Sequence, residues 1–150
     1  MNPRDRQLSV YAGEDAALAA SGKEFRDLRQ VRAYLDDLIG SDWWADRWPH
    51  VEAIPVARTR SGRFSGYAVD GTGEIRVGSL REPVVLHEVA HVLTPGSGHG
   101  PAFVDALLAL VRERLGFHAY GALLAELRRR HVVGEGDGDD SDQPEDPDPG

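Results

Sequence analysis

Apolar residues recur at helical spacing between Ser21 and Gly40. Ser21 and Glu24 have the spacing of a capping box. The apolar positions that follow, mostly three or four residues apart, are Phe25, Leu28, Val31, Leu35, Leu38 and Ile39. This pattern predicts an amphipathic helix that ends at Gly40. The next segment, SDWWADRWPH, begins with capping residues and predicts one or two helical turns whose tryptophans lie in the core, with a substrate groove as the alternative.

A β-type pattern replaces the helical one between Val51 and Gly78. Three runs rich in β-branched and aromatic residues are present, VEAIPVART, FSGYAVD and EIRVG. The segment DGTG joins the last two runs, and its Asp-Gly pair is typical of a hairpin turn. We therefore expect a small antiparallel sheet of three strands, with the last two in a hairpin. Pro55 should place the first strand at an edge or lie near its start.

Helical periodicity returns after Pro83. The segment VVLHEVAHVL is apolar apart from two histidines and one glutamate, which predicts a helix buried on most sides. The breaker-rich segment TPGSG ends this helix, and Gly100 followed by Pro101 is typical of a new helix start. Two more helices are expected, over residues 102–117 and 120–133. The chain therefore has an α+β pattern without internal repeats.

Composition divides the chain into a neutral body and an acidic tail. Residues 135–150 carry eight of the 25 acidic residues and none of the 17 Lys and Arg, so the net charge of −8 belongs to them. A like-charged segment without apolar side chains cannot offset the entropy lost on ordering. It also lacks the spacing of a calcium-binding loop. We predict one folded domain over residues 1–133 and a disordered acidic tail over 134–150.

The same composition limits the partners and the cellular compartment. A body without net positive charge attracts nucleic acid only weakly, although the arginines at 128–130 leave a local basic patch open. No run of 18 apolar residues appears, and the N-terminus lacks the apolar core of a signal peptide. A soluble, cytoplasmic protein without a membrane partner is expected. Because the chain has no cysteine, a bound metal must be held by His, Asp or Glu.

The segment HEVAH at positions 87–91 matches the pattern HExxH. On a helix its two histidines are about 40° apart in rotation and roughly 6 Å apart along the axis, so both imidazoles can reach one ion. Glu88 lies where its carboxylate can hydrogen-bond a water on that ion. Zinc-assisted hydrolysis requires this arrangement, because the cation lowers the pKa of water toward about 7 and a carboxylate accepts the proton. Glu88 is therefore the candidate general base.

His99 is the candidate third ligand. It follows His91 by eight positions, across a proline and two glycines that can turn the chain back. Three histidines and a water form a catalytic zinc arrangement, whereas structural sites are usually closed by four ligands and often use cysteine. The alternative is that His87 and His91 are ordinary helix histidines. Unpaired histidines would be costly in so apolar a helix, which favours the metal site.

The remaining candidates carry weaker signals. Three histidines have no motif-like neighbours and are predicted to have no role in the site: His50, His118 and His131. Asp105 either accepts an imidazole N–H beside the site or faces solvent. The residues considered for oxyanion stabilisation, none of them favoured by the sequence, are Tyr67, Tyr120 and Arg76.

The combination of HEVAH with HGPAF at positions 99–103 resembles SprT-like and related minimal zincin metalloproteases. These proteins have HExxH followed by a third histidine in an HGxxF context. The resemblance implies His87, His91 and His99 as zinc ligands and Glu88 as the catalytic glutamate. It also implies a zincin core, in which a small sheet packs on the HExxH helix and an edge strand can pair with an extended peptide. The order of VYAGE, WW, a hairpin and the two motifs also resembles a family of short, uncharacterised metallohydrolases.

The resemblance to SprT-like proteins is incomplete. These proteins often add a cysteine-containing zinc segment and DNA-binding elements, and neither is evident here, so a role on DNA–protein crosslinks does not transfer.

Two classes of function follow from these observations. The first class is a zinc-dependent metallohydrolase, a metallopeptidase acting on a peptide or protein substrate. The second is a non-catalytic zinc-binding interaction module. Glu88 favours the enzyme, because a purely structural site needs no base; the substrate and the oligomeric state stay open.

Overall fold

The computed structural model describes residues 1–60, 66–69 and 72–134. Within these ranges the chain forms six helices and three short strands, which confirms the α+β class. The helices are α1 (Pro3–Leu18), α2 (Leu28–Ile39), α3 (Asp42–Arg47), α4 (Glu82–Leu93), α5 (Pro101–Leu115) and α6 (Phe117–Arg129). The strands are β1 (Val56–Arg58), β2 (Gly66–Val69) and β3 (Glu74–Val77). The predicted tail beyond residue 134 and the predicted hairpin turn at 70–71 lie outside the described residues.

The sheet is mixed, with the strand order β1-β3-β2. β2 and β3 pair antiparallel, with Tyr67 opposite Arg76, so the predicted hairpin pairing is confirmed. β1 pairs parallel to β3, and the expectation of a wholly antiparallel sheet was wrong. The turn signal relates only β2 and β3, whereas β1 and β3 are not consecutive and no short turn determines their direction. Pro55 directly precedes the edge strand β1, as predicted, and its carbonyl accepts a hydrogen bond from the Ile75 N–H (2.9 Å).

α4 lies at the centre of the fold, between the sheet and α5. It packs against β2 and β3 on one side and against α5 on another. Eight of its twelve residues are buried, as the almost unbroken apolar pattern predicted. Its Val85, Leu86 and Val89 are fully buried together with Ile75 and Val77 of β3. Each such side chain contributes about 1.5–3 kcal/mol of hydrophobic stabilisation, so α4 is a rigid support for the polar residues it carries.

α1 was not predicted as an element. Its start has clear capping signals, because the Asn2 side chain accepts a hydrogen bond from the Asp5 N–H (2.8 Å) and Pro3 occupies the first turn. Its apolar residues do not form a regular stripe, and only Val10, Gly13 and Leu18 are buried. α1 packs against α6.

The structure also corrects three helix boundaries. The capping-box pattern placed the start of α2 near Ser21, but Asp27 caps this helix through the Gln30 N–H (3.0 Å). Residues before Asp27 pair instead with the segment that precedes α4, where the Phe25 N–H donates to the Leu80 carbonyl (2.7 Å). α5 ends at Leu115 and α6 begins at Phe117, both earlier than predicted, because the intervening glycine has a φ of 100° that breaks the helical path.

The short helix α3 agrees with its prediction. Ser41 caps it, and Trp44 is fully buried, with its indole N–H donating to the Val51 carbonyl (2.9 Å). Trp43 and Trp48 are partly buried and pack against the same core. The three tryptophans therefore belong to the core and not to a groove. None of the described helices is both long enough and apolar enough to span a bilayer.

Candidate metal centre

The first turn of α4 is anchored by a buried carboxylate. Glu82 accepts hydrogen bonds from the Tyr34 hydroxyl (2.5 Å) and the Lys23 N–H (3.0 Å). From this fixed start the helix places His87 and His91 on one face, one turn apart, with ring centroids 5.0 Å from each other. The predicted helical relation between the two histidines is therefore present in the structure.

A tight loop returns the chain from the end of α4 to the same face. Thr94 follows the last residue of α4, and its hydroxyl donates to the Ala90 carbonyl (2.7 Å). Gly96 and Gly98 have φ values of 81° and 54°, in the left-handed region that favours glycine. The loop brings the Nε2 atom of His99 to 3.2 Å from the Nε2 atom of His91.

The three predicted ligands form one cluster. One nitrogen from each of His87, His91 and His99 lies within 4.8 Å of the others. Among the described residues, this is the one group of three or more metal-ligating side chains that meets such a spacing. The cluster can hold a metal ion.

Two features of the imidazoles fit a metal ion. The Nε2 atom of His87 is buried and has no hydrogen-bond partner, a costly state for a polar atom unless another group satisfies it. The 3.2 Å separation of the other two Nε2 atoms is close to the separation of two nitrogens that lie about 2.0–2.1 Å from one tetrahedral zinc ion. Three imidazole nitrogens without thiolates suit zinc, copper, nickel and iron.

Burial keeps two of the candidate ligands in the neutral form that binds metals. Burial first, and then the neighbouring imidazoles of His87 and His99, together lower the pKa of His91 to about 3. Burial likewise lowers the pKa of His99 to about 4, with contributions from His87 and Arg6. Burial also disfavours the charged form of His87, but the adjacent Glu14 carboxylate reverses the effect and raises its pKa.

Glu88 lies on the same helix, and only 4% of its surface is exposed. Burial raises the pKa of its carboxyl to about 7, although the nearby His87 acts in the opposite direction. A carboxyl that titrates near the working pH suits general base catalysis. The candidate base therefore has the environment that its predicted role requires.

A cavity of about 670 Å³ lies in front of the cluster. Both Glu88 and two of the imidazoles, those of His91 and His99, line it. β2 contributes Tyr67, Ala68 and Val69 to the lining of this cavity. Within the described part of the sheet β2 pairs only with β3, so one edge of β2 is left without a strand partner.

The chain matches no protein-family model, no curated protein and no solved structure. The resemblance to SprT-like proteins thus rests on the two motifs, HEVAH and HGPAF. Within the second motif, Phe103 is fully buried and its ring packs against the three imidazoles, with a centroid separation of 4.3 Å from His91. The aromatic residue of this motif is therefore a wall of the cluster.

Two residues of α1 also lie at the cluster and were not predicted. The ring of Tyr11 stacks on His87 (5.1 Å between centroids) and meets His99 edge-on (5.5 Å). Both oxygens of the Glu14 carboxylate lie within 2.9 Å of the His87 Nδ1 atom. Both residues belong to the segment VYAGE, for which only its place in the order of segments was noted. No spacing rule connects position 14 with position 87.

The weaker candidates divide between the cavity and the surface. Tyr67 lines the cavity, whereas Arg76 pairs with Glu74 and Tyr120 packs beside Phe117 on α6. Asp105 is exposed on α5, and the Glu14 carboxylate lies at the imidazole of the candidate ligand His87. The histidines outside the cluster are exposed: His50, His118 and His131.

Proposed function

We propose that this protein is a zinc-dependent metallopeptidase of the HExxH class with a zincin-like core. His87, His91 and His99 hold the ion, and Glu88 is the general base. One observation carries the proposal: three imidazole nitrogens within 4.8 Å of one another lie beside a buried carboxylate, at the wall of a cavity. A non-catalytic zinc module would need neither the buried Glu88 nor the cavity.

The donor set supports zinc as the metal. Three neutral imidazoles with room for one more ligand form a typical catalytic zinc site, and no thiolate or carboxylate cage competes for the ion within the cluster. When bound, such a cation supplies Lewis acidity, which makes water a stronger acid and a carbonyl a better electrophile. The Nε2 atom of His87, which lacks a hydrogen-bond partner, becomes satisfied by ligation.

Glu88 moves the proton in the proposed reaction. Its carboxylate accepts a proton from the water that attacks the peptide carbonyl and then donates it to the leaving amine as the C–N bond breaks. Its position in the cavity wall gives it access to both groups. Tyr11 lies in the same wall, and burial raises the pKa of its hydroxyl, so at neutral pH this group is a proton donor suited to stabilise the oxyanion.

The proposed substrate is an extended peptide that adds to the edge of β2. An unpaired strand edge offers backbone N–H and C=O groups that an extended peptide can pair with. Three consecutive residues of β2 line the cavity, so a peptide in this position passes in front of Glu88 and the cluster. Main-chain pairing would provide affinity with little dependence on the peptide sequence.

The deciding experiment compares the parent with Glu88→Gln. Glutamine keeps the size of the side chain but cannot accept the proton, so hydrolysis should fall by roughly 10²-fold or more while zinc content stays near one per chain. Zinc is measured by elemental analysis, and hydrolysis by digestion of a peptide library followed by mass spectrometry.

Glu113→Gln, an exposed glutamate on α5, is the matched control and should change neither quantity. Full activity in Glu88→Gln would overturn the mechanism. A parent chain that holds zinc and cleaves no peptide or protein would favour the interaction module.

A further inference from the structure

The N-terminal helix α1 contacts two of the three proposed ligands. Glu14 and Arg6, two turns apart on α1, each form a hydrogen bond within the cluster: one with the His87 side chain and one with the His99 backbone. Neither residue lies within the HExxH or HGPAF motif. α1 therefore touches the cluster at two independent points.

The contact with Glu14 determines which nitrogen of His87 is free. The two carboxylate oxygens lie 2.7 and 2.9 Å from Nδ1, and a carboxylate can only accept hydrogen bonds, so Nδ1 carries the proton. The lone pair of the neutral ring is then on Nε2, the buried atom without a hydrogen-bond partner. Without Glu14, either nitrogen of His87 could carry the proton.

The contact with Arg6 holds the loop that carries the third ligand. The Nε atom of Arg6 donates to the His99 carbonyl (2.5 Å). This loop has two left-handed glycines within five residues of His99, and Cβ atoms at these glycines would meet nothing within 4 Å, so the loop is not confined by packing there. A charged donor on its last peptide group is a suitable restraint, because charge-assisted hydrogen bonds are about twice as strong as neutral ones.

α1 is itself held firmly enough to act as a support. A Cβ atom at Gly13 would lie 3.1 Å from the Leu127 side chain, which shows how closely α1 approaches α6. At the other end, the Arg81 guanidinium at the start of α4 donates to the Leu18 and Ala19 carbonyls (3.1 and 2.9 Å). The helix that carries Glu14 is thus fixed to the two helices α4 and α6.

We propose that α1 is a positioning element of the metal centre, in which Glu14 fixes His87 as an Nε2 ligand and Arg6 fixes the His99 loop. This inference rests on the proposed metal site. Glu14 and Arg6 are positioning residues, because they act through the ligands and do not touch the ion. Carboxylates that orient ligand imidazoles in this way typically change metal affinity by about 10- to 100-fold.

The test measures Zn²⁺ affinity of the full chain by competition with a chelator of known affinity. Glu14→Gln removes the charge and keeps the size, and zinc binding should weaken roughly 10- to 100-fold. Asp15→Asn, the exposed neighbour of Glu14 on α1, is the matched control and should bind zinc as the parent does. In the zinc-loaded parent, the His87 Nδ1 proton should exchange slowly with solvent by ¹⁵N NMR, and it should exchange faster in Glu14→Gln.

Arg6→Gln provides a second variant, with the exposed Arg4→Gln as its control, and should weaken zinc binding by roughly 10-fold. It keeps the test decisive if Glu14→Gln fails to fold, as judged by circular dichroism. If the parent binds one zinc and both variants match its affinity within twofold, the role of α1 is wrong while the proposed function stands. If the parent binds no zinc, the proposed function fails, and this inference with it.

Discussion

At the scale of single residues, burial acts on the carboxylate and on the imidazoles of the site in opposite directions. It raises the pKa of Glu88 to about 7 and lowers the pKa values of His91 and His99 to about 3 and about 4. Both changes have the same largest cause, because a low-dielectric environment disfavours whichever form is charged. At neutral pH the imidazoles of His91 and His99 are therefore uncharged and able to bind a metal ion.

Tyr11 is the residue whose hydroxyl can be tested apart from its ring. Tyr11→Phe keeps the ring that stacks on His87 and removes only the hydroxyl of this cavity-lining residue. We expect zinc affinity to stay within twofold and kcat to fall by about 10²-fold, the usual effect of losing one donor to an oxyanion. Steady-state kinetics on a peptide found by the library digest, together with the zinc titration, check both quantities.

Tyr120→Phe is the control for this prediction, since Tyr120 lies on α6 beside Phe117 and does not line the cavity. It should leave kcat unchanged. Undiminished kcat in Tyr11→Phe would exclude Tyr11 from the reaction and direct attention to Tyr67, the other tyrosine at the cavity.

At the scale of elements, the loop between α4 and α5 determines where His99, the third candidate ligand, lies. Gly98 has a φ of 54°, and a Cβ atom there would meet nothing within 4 Å, so an alanine would be strained but would not clash. We expect Gly98→Ala to lower the free energy of unfolding by about 1–2 kcal/mol. Zinc binding should weaken by about 10-fold as the loop relaxes and moves His99. Urea denaturation and zinc titration measure the two effects.

Gly121→Ala serves as the matched control, because Gly121 lies inside α6 and a Cβ atom there also has no neighbour within 4 Å. Alanine should stabilise that helix by about 0.5–1 kcal/mol and leave zinc binding unchanged. Gly98→Asn should be milder than Gly98→Ala, because asparagine tolerates the left-handed region. Equal zinc affinity in Gly98→Ala and the parent would show that the loop does not position His99.

Elements with a strong apolar pattern could be predicted, and elements held by distant contacts could not. α4 buries eight of its residues, and the almost continuous apolar run in the sequence predicted this burial. α1 buries only Val10, Gly13 and Leu18, so no periodic stripe marked it. The direction of β1 depends on its pairing with β3, a partner that is not its neighbour along the chain. Pattern-based prediction reports local burial and turn chemistry and contains no information on such pairings.

The residues of the candidate site also fall into those that the sequence predicted and those that it could not. His87 and His91 were predicted because helical spacing alone places them together, and His99 because breakers precede it. Glu14 could not be predicted, since its contact with His87 spans 73 positions. The relation appears only when α1 has packed on α6 and α4 is in place.

At the scale of the whole molecule, the candidate metal centre joins the N-terminal helix α1 to segments from the middle of the chain. α4 provides two of the candidate ligands, and the loop before α5 provides the third. α1 contacts α4 through Glu14 and the loop through Arg6. A ligand that binds only the folded state stabilises it by an amount that depends on its free concentration relative to its Kd. An ion in this position would therefore stabilise the fold as a whole, including α1.

Removal of zinc should accordingly lower the melting temperature of the protein. With free zinc at a thousand times its Kd, the folded state gains about 4 kcal/mol relative to chelator-treated protein. For a domain of this size, such a gain raises Tm by roughly 10 °C. Calorimetry in zinc and in EDTA measures the difference, which should vanish in His99→Ala and persist in His118→Ala, an exposed histidine on α6. A zinc-dependent rise in Tm that survives in His99→Ala would mean that the stabilising ion binds somewhere other than this cluster.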